Sequence, residues 1–565
     1  MAKVPYGISN FKDLITQEYI YMDKTKYIET LESYGEKYIF FLRPRRFGKS
    51  LFASTLEHYY DCNNQDDFNE LFGDLYIGDN KTDLANSYYV LSFDFSGINA
   101  DTKSSLLEGF TQNVREGLDE FIDKYNLDLE YREAKMPSII FSSFLKKVKF
   151  KIDKKIYVLI DEYDHFANEL LSFQVDTFEE TISKTGFVRK WYEILKQGTA
   201  DGIVDRIFAT GVSPITLDSL TSGFNIASNV SRDRGLNEMM GFTTEEVRSL
   251  IDKLVDDIDK AELMKKLKRY YNGYLFNQDA EERLFNSDMV LYYFKSYLKE
   301  NKEPSDLIDT NISSDYAKMR ELFTLRNQKR NYEILKSILN EELQDVVLTR
   351  EFSLAKEFTG DDFKSLLYYL GFLTIRESDV INLKLGVPNY VIKELYFDFF
   401  SKIIKDKSKY EIDASEIRRV VGEIALKGEF AGFIKIVEET LQRLSNRDYI
   451  DFDEKYVKLT MLSYLMLSRV YYIKSEYEVE DGYIDIALLE RSGIEPDYEA
   501  IIELKYIKKS EYDDQGEAVV QSKFEAAKEQ ILKYKQADEL SERENLKKIV
   551  LIFAGDKCVK QKELD

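Results

Sequence analysis

The stretch that most constrains the fold is an apolar run ending in a basic loop. Tyr38-Ile39-Phe40-Phe41-Leu42 suits a buried parallel strand. It passes into Arg43-Pro44-Arg45-Arg46-Phe47-Gly48-Lys49-Ser50, after which Leu51, Phe52, Thr55, Leu56 and Tyr59 recur at helical spacing. Strand, Gly-Lys-Ser loop and helix form the context of a phosphate-binding loop. Amides at a helix N-terminus point at phosphates, Lys49 would reach the β and γ oxygens, and Ser50 would offer a hydroxyl to Mg²⁺. Arg45, Arg46, Phe47, Gly48, Lys49, Ser50 and Leu51 are the nucleotide-binding segment expected here. The usual first glycine is missing, because Arg43 stands in its place. From this segment alone, a basic surface turn before a helix stays open.

A second stretch narrows the choice. Lys155-Ile156-Tyr157-Val158-Leu159-Ile160 is an apolar strand that ends in Asp161-Glu162-Tyr163-Asp164. Open α/β sheets place ligands at the carboxyl ends of strands. Asp161 there can hold Mg²⁺, and Glu162 can polarise the attacking water. Two further apolar strands fit the same sheet, Tyr88 to Phe93 before Asp94 and Arg206 to Thr210 before Gly211-Val212-Ser213-Pro214. Strands alternating with helical stretches describe a doubly wound α/β sheet. Thr210, or nearby Ser213, could sense the γ-phosphate, although a plain strand end reads the same way. Arg232 and Arg234 suit a charge-stabilising finger or, more simply, a solvated loop.

Composition removes other chemistries. The two cysteines, Cys62 and Cys558, stand far apart, which argues against a disulfide framework or a cysteine zinc cluster. The two histidines, His58 and His165, argue against a multi-histidine metal site and a Ser-His-Asp triad. Catalysis, if present, rests on carboxylates, lysines, arginines and metal ions. The net charge of −23 disfavours a histone-like coat of nucleic acid but leaves room for a local basic groove. No apolar run reaches the ~18 residues of a membrane span, and the N-terminus lacks a signal-peptide core, so no membrane partner and a cytoplasmic location are expected.

These residues resemble a family. The Arg-rich loop at 43–50, Leu159-Ile160-Asp161-Glu162-Tyr163-Asp164 and Ala209-Thr210-Gly211-Val212-Ser213-Pro214 are similar to the bacterial and archaeal AAA-ATPase-like proteins. Pro5-Tyr6-Gly7, Tyr21-Met22-Asp23-Lys24-Thr25 and Tyr271-Asn272-Gly273-Tyr274-Leu275-Phe276 fit as well. The resemblance spans roughly residues 4 to 290. It implies a P-loop ATPase using ATP and Mg²⁺, in which a first-glycine-less loop is normal.

Beyond it the pattern turns helical. Thr243, followed three residues later by Glu246, is a capping box. We read residues 1–240 as the P-loop domain, 241–305 as a helical lid and 306–454 as a mostly helical linker. A β-rich insert from Phe372 to Leu385 allows a winged helix there; a plain helical linker is the alternative.

Residues 455–565 read as a second α/β domain. A helix from Val457 to Leu467 precedes strands at 470–473, 483–489 and 499–506, then a helix at about 519–540 and a strand at 548–553. Glu503 and Lys505 are two apart on one strand and so share a face, which Asp485 on the neighbouring strand can approach. Asp485 and Glu503 can hold Mg²⁺ against a phosphodiester, and Lys505 can position water and stabilise developing charge. A polar face with an ordinary Glu/Lys pair is the plainer reading of the triplet. The α-β-β-β-α-β order resembles the PD-(D/E)XK nuclease superfamily, in the branch often appended to AAA-ATPase-like proteins. Ser475-Glu476-Tyr477-Glu478 followed by Gly482-Tyr483-Ile484-Asp485 fits that branch, as does Gln530 with Tyr534. The resemblance implies a restriction-endonuclease-like domain with Asp485, Glu503 and Lys505 catalytic, Glu478 and Gln530 accessory, and DNA as substrate. A regulatory ATP switch whose C-terminal domain binds nucleic acid without cutting it is the alternative. A nucleotide-binding protein without nucleic acid is a weaker third, and self-assembly into a homo-oligomer stays open.

Overall fold

The apolar runs pair as parallel strands because each is buried on both faces and separated by a helix long enough to cross back over the sheet. The computed structural model describes residues 3–99, 101–165, 186–215, 224–256, 258–312, 322–323, 327–350, 352, 358–379, 381–409, 413–448, 453–479, 482–533, 540, 543 and 545–564. The chain divides into two compact units, Met1–Leu298 with Ile308–Asn389, and Lys299–Leu307 with Tyr390–Asp565.

The first unit is built on β1 (Tyr38–Leu42), β2 (Tyr89–Asp94), β3 (Ile156–Asp161), β4 (Val204–Gly211) and β5 (Ser228–Asn229), ordered β2-β3-β4-β1-β5. Every pairing is parallel. Register brings Leu42 beside Gly211 and Asp94 beside Asp161, so the acidic and loop-bearing strand ends share one edge. The sheet is a P-loop doubly wound one. Strand β5 has two residues, too few to show periodicity, and the sequence reading lacks it. The single tryptophan, Trp191, is fully buried, with its ring 5.1 Å from Phe93 and 5.2 Å from Phe141.

The middle of the chain is mostly helical. The capping box forms, with Glu246 N donating to Thr243 Oγ1 at 3.2 Å and Thr243 N to Glu246 Oε2 at 2.8 Å. Helices Thr244–Leu254, Lys260–Tyr271 and Ser287–Glu300 follow. Helices Gln328–Leu339 and Gly360–Tyr369 accompany β6 (Gln344–Val346), β7 (Thr374–Ser378) and β8 (Leu383–Gly386), and these three strands make a small antiparallel sheet ordered β6-β8-β7.

In the second unit, helices Tyr390–Ser408, Ala414–Lys427, Ala431–Asp448 and Glu454–Ser468 lead into a mixed sheet. Its strands are β9 (Tyr472–Val479), β10 (Gly482–Leu489), β11 (Glu499–Ile507), β12 (Leu546–Ala554) and β13 (Lys557–Leu564), in order β13-β12-β11-β10-β9. Only β11 and β12 run parallel. The sequence reading stops at β12. Strand β13, Lys-Cys-Val-Lys-Gln-Lys-Glu-Leu, lies at the sheet edge, where charged side chains are tolerated and apolar alternation is lost. Among the described residues no helix is long and apolar enough to cross a membrane.

Candidate functional site

Gly48 caps helix Lys49–Tyr60 with φ at 91°, a left-handed conformation that a side chain would strain. A Cβ built there meets nothing within 4 Å, so the space beside the loop is open. Lys49 is buried, its Nζ 3.3 Å from Pro44 O and 3.9 Å from Glu162 Oε1. The ammonium is therefore aimed back over its own loop. Asn286 Nδ2 and Ser287 Oγ hold the carbonyls of Arg45 and Arg46 at 3.3 and 3.1 Å, and Arg46 pairs with Asp288 at 3.0 Å. Phe47 is buried edge-on against Tyr274 and Phe276. This contact gives the Tyr274-Leu275-Phe276 segment a task that spacing does not reveal.

Arg43, at the position where a phosphate loop usually has its first glycine, is a strut. Its Nη1 donates to Leu42 O and Ser231 O at 2.9 and 2.7 Å, and Nη2 to Leu236 O and Asn237 O at 2.9 and 3.3 Å. The guanidinium lies 4.2 Å from the Phe41 ring and 4.1 Å from that of Phe276. Burial pushes its pKa down to about 9. Arg43→Ala is expected to lower stability by about 2–4 kcal/mol, because buried carbonyls lose their donors. Arg43→Lys rescues little, since an ammonium lacks the fork. Denaturant melts check this, and wild-type stability in Arg43→Ala would refute it.

The acids face the loop. Burial, with the neighbouring Glu162 charge, pushes the Asp161 carboxyl up to about 6, against a hydrogen bond with Ser50. Burial pushes Glu162 the same way, but Lys49, His165 and Arg45 overcome it and hold Glu162 down at about 2. Glu162 thus stays ionised between Lys49 and His165, whose Nδ1 is 3.8 Å away, and its backbone is left-handed at φ 51°. Asp164 is fully buried and serves the frame: it accepts from Val212 N at 3.0 Å, Ser213 N at 2.7 Å and Ser213 Oγ at 2.9 Å. Gly211 is required beside it, since a Cβ would stand 2.2 Å from Asp164 Oδ1. The hydroxyl of Ser213 is therefore engaged with Asp164.

A cavity of about 510 Å³ opens above these groups. Its lining includes the polar Lys49, Ser50, Asp94, Asp161, Glu162 and His165 and the apolar Pro5, Ile8, Ile20, Met22, Met240 and Phe242. Arg45, Arg46, Phe47, Gly48 and Leu51 also line it, whereas Thr210, Arg232 and Arg234 are not among its lining residues. Thr210 is fully buried, and its hydroxyl has no hydrogen-bond partner. Arg232 donates to Gln278 at 2.7 Å, and Arg234 is largely exposed. Asp94 and His165 were not singled out by the sequence reading. Asp94 could have been: it ends an apolar strand as Asp161 does.

In the second unit, register sets Ile486 opposite Ser475 on one side and Ile502 on the other, which aligns Glu476, Asp485 and Glu503 across three strands. Glu503 is 2% exposed; its Oε1 accepts from Lys505 Nζ at 2.7 Å, and its Oε2 is buried without a partner. Burial, then the Asp485 charge, pushes the Glu503 carboxyl up to about 7. Lys505 moves up as well: burial opposes the shift, but Glu503 outweighs it. Asp485 Oδ2 accepts from Leu504 N at 2.8 Å. The structure thus brings Asp485, Glu503 and Lys505 together. It adds two side chains from helix Glu454–Ser468. Glu454 accepts from Tyr506 N at 3.1 Å, and Lys458 Nζ lies 3.5 Å from Asp485 Oδ1. Burial raises the Glu454 pKa, with Asp485 adding to it. Glu478 and Gln530 are exposed, and Tyr534 lies outside the described residues. Among the described residues no three acidic, histidine or cysteine side chains form a ready metal cage. The unpartnered Glu503 oxygen beside Asp485 nevertheless suits a cation, which two oxygen ligands and water can hold.

Family models match two separate segments. A predicted AAA-ATPase model covers residues 5–221, and a PD-(D/E)XK nuclease superfamily model covers residues 452–563. The chain joins a predicted AAA-ATPase domain to a PD-(D/E)XK nuclease superfamily domain. A curated relative from Azotobacter chroococcum mcd 1, described as an uncharacterized protein in the vnfD 5' region, is 26% identical over 401 residues, 69% of this chain and 68% of its own length. Among solved structures, the Walker-type ATPase PABY2304 of Pyrococcus abyssi aligns with a TM-score of 0.36 at 13% identity, over 70% of this chain and 98% of that one. The AAA-ATPase match holds the phosphate loop and the acids that face it. The nuclease match holds the Asp485, Glu503 and Lys505 group.

Proposed function

We propose that the N-terminal domain binds and hydrolyses ATP and that the C-terminal domain is a Mg²⁺-dependent nuclease acting on DNA. Two groupings support the reading: Lys49 facing Glu162 across one cavity, and Lys505 bonded to a buried Glu503 beside Asp485. The second carries the nuclease assignment, because burying a carboxylate with a free oxygen costs stability unless a ligand repays it.

Lys49 would meet the β and γ oxygens of a triphosphate bound at the loop, and the apolar lining residues would take the base. Ser50 and Asp161 would hold Mg²⁺, which neutralises phosphate charge when bound. Glu162, kept ionised, orients the attacking water and accepts its proton. Gly241, Phe242, Ser287 and Asp288 line the cavity from the segment read as a lid, residues 241–305. At the second site Asp485 and Glu503 would hold the divalent ion, and Lys505 positions water and stabilises charge on the phosphodiester.

The test uses purified full-length chain. Glu162→Gln is expected to keep bound ATP while phosphate release falls about a hundredfold or more. Unchanged release would remove Glu162 from the mechanism. Plasmid DNA incubated with Mg²⁺ should be cut, with or without ATP. DNA that is bound but left intact would favour the regulatory switch instead.

A further inference from the structure

Lys458 is a buried cation beside Asp485 that the proposed chemistry does not use. It sits on helix Glu454–Ser468, four residues after Glu454, with its side chain only 8% exposed. Its ammonium bonds Glu476 Oε1 and lies 3.5 Å from Asp485 Oδ1. The other Asp485 oxygen is already engaged by Leu504 N. Any cation approaching Asp485 Oδ1 therefore meets the Lys458 ammonium. Glu476 stands opposite Asp485 on β9 and takes a left-handed backbone, φ 49°, unusual in a strand. Its side chain is half exposed, so it offers Lys458 a partner on the solvent side.

We propose that Lys458 is an internal counter-ion of the nuclease site. Without a divalent ion it shares its charge between Asp485 and Glu476. When an ion binds Asp485, Lys458 gives up that contact and retreats onto Glu476. The ion thus has a competitor for Asp485, and Glu476 weakens that competitor by holding it aside. This rests on the metal-dependent reading of Asp485 and Glu503.

The test is Mn²⁺ binding to the nucleotide-free full-length chain, followed by calorimetry. Lys458→Met should bind Mn²⁺ about fivefold or more tightly than wild type, since a nearby like charge is gone. Glu476→Gln should bind several-fold more weakly, because Lys458 then has Asp485 alone. The double variant decides the matter. If Glu476 acts through Lys458, adding Glu476→Gln to Lys458→Met changes nothing. If Glu476 acts only through space, its full effect persists in that background, and the proposal falls. It falls too if Lys458→Met, folded by circular dichroism, binds Mn²⁺ no more tightly than wild type. Should that variant not fold, Lys458→Gln takes its place in the cycle. Asp485→Asn separates the two ideas: Mn²⁺ affinity undiminished there removes the metal reading itself, whatever Lys458 does.

Discussion

Lys49→Ala is expected to bind ATP at least about a hundredfold more weakly than wild type, a loss of ~2.7 kcal/mol. Lys49 is buried and already held over the loop by Pro44 O at 3.3 Å and Glu162 at 3.9 Å. A pre-aimed ammonium pays little to meet a phosphate, and partial exclusion of water strengthens that contact. Removing it also leaves Glu162 facing the triphosphate without its principal counter-charge, so repulsion adds to the lost attraction. Lys49→Arg should not restore affinity, because the longer planar fork does not fit a site shaped for a point charge. Calorimetry with Mg²⁺ and ATP reads the effect, and far-UV circular dichroism confirms that the fold persists. Equal affinity in the variant and wild type would reject the phosphate-loop assignment.

The loop was legible because its evidence is local: an apolar strand, Gly-Lys-Ser, then helical spacing within a few residues. What supports the loop was not. Arg43 binds carbonyls of Ser231, Leu236 and Asn237, and Asn286 and Ser287 bind carbonyls of Arg45 and Arg46. Those partners are backbone atoms about two hundred residues away, and backbone carbonyls carry no sequence signature. The same division holds at the candidate site of the C-terminal domain. Glu503 and Lys505 show their shared face through strand alternation, and Asp485 joins them through a neighbouring strand. Glu454 and Lys458 arrive by the packing of a helix on β9 and β11, which periodicity within the helix does not reveal. Helix Glu454–Ser468 is buried almost all round, so its polar residues read as interruptions of a core rather than as parts of a site.

Lys505→Ala should cut DNA about 10²–10³-fold more slowly than wild type while still binding it, the usual loss when one charge-stabilising group leaves an active site. Asp485→Asn should lose metal binding as well as cleavage. The pH dependence separates these roles. Burial and Asp485 push the Glu503 carboxyl up to about 7, so near neutrality the metal-free site holds a proton that an incoming cation must expel. Metal affinity should therefore climb as pH rises toward about 7 and level off above it. Stability of the metal-free chain runs the other way. The folded Glu503 pKa lies above its unfolded value of about 4.3. The stabilisation that this proton gives is fully present below that value and is lost as pH rises through about 7. Lys505 is the partner that favours ionised Glu503. In Lys505→Ala the carboxyl should hold its proton to higher pH, and the metal-affinity plateau should move up with it. Mn²⁺ titrations at a series of pH values, set beside plasmid cleavage, measure both. An affinity flat from about pH 6 to 8, or a plateau unmoved by the loss of Lys505, would mean that Glu503 is not the group the cation displaces a proton from.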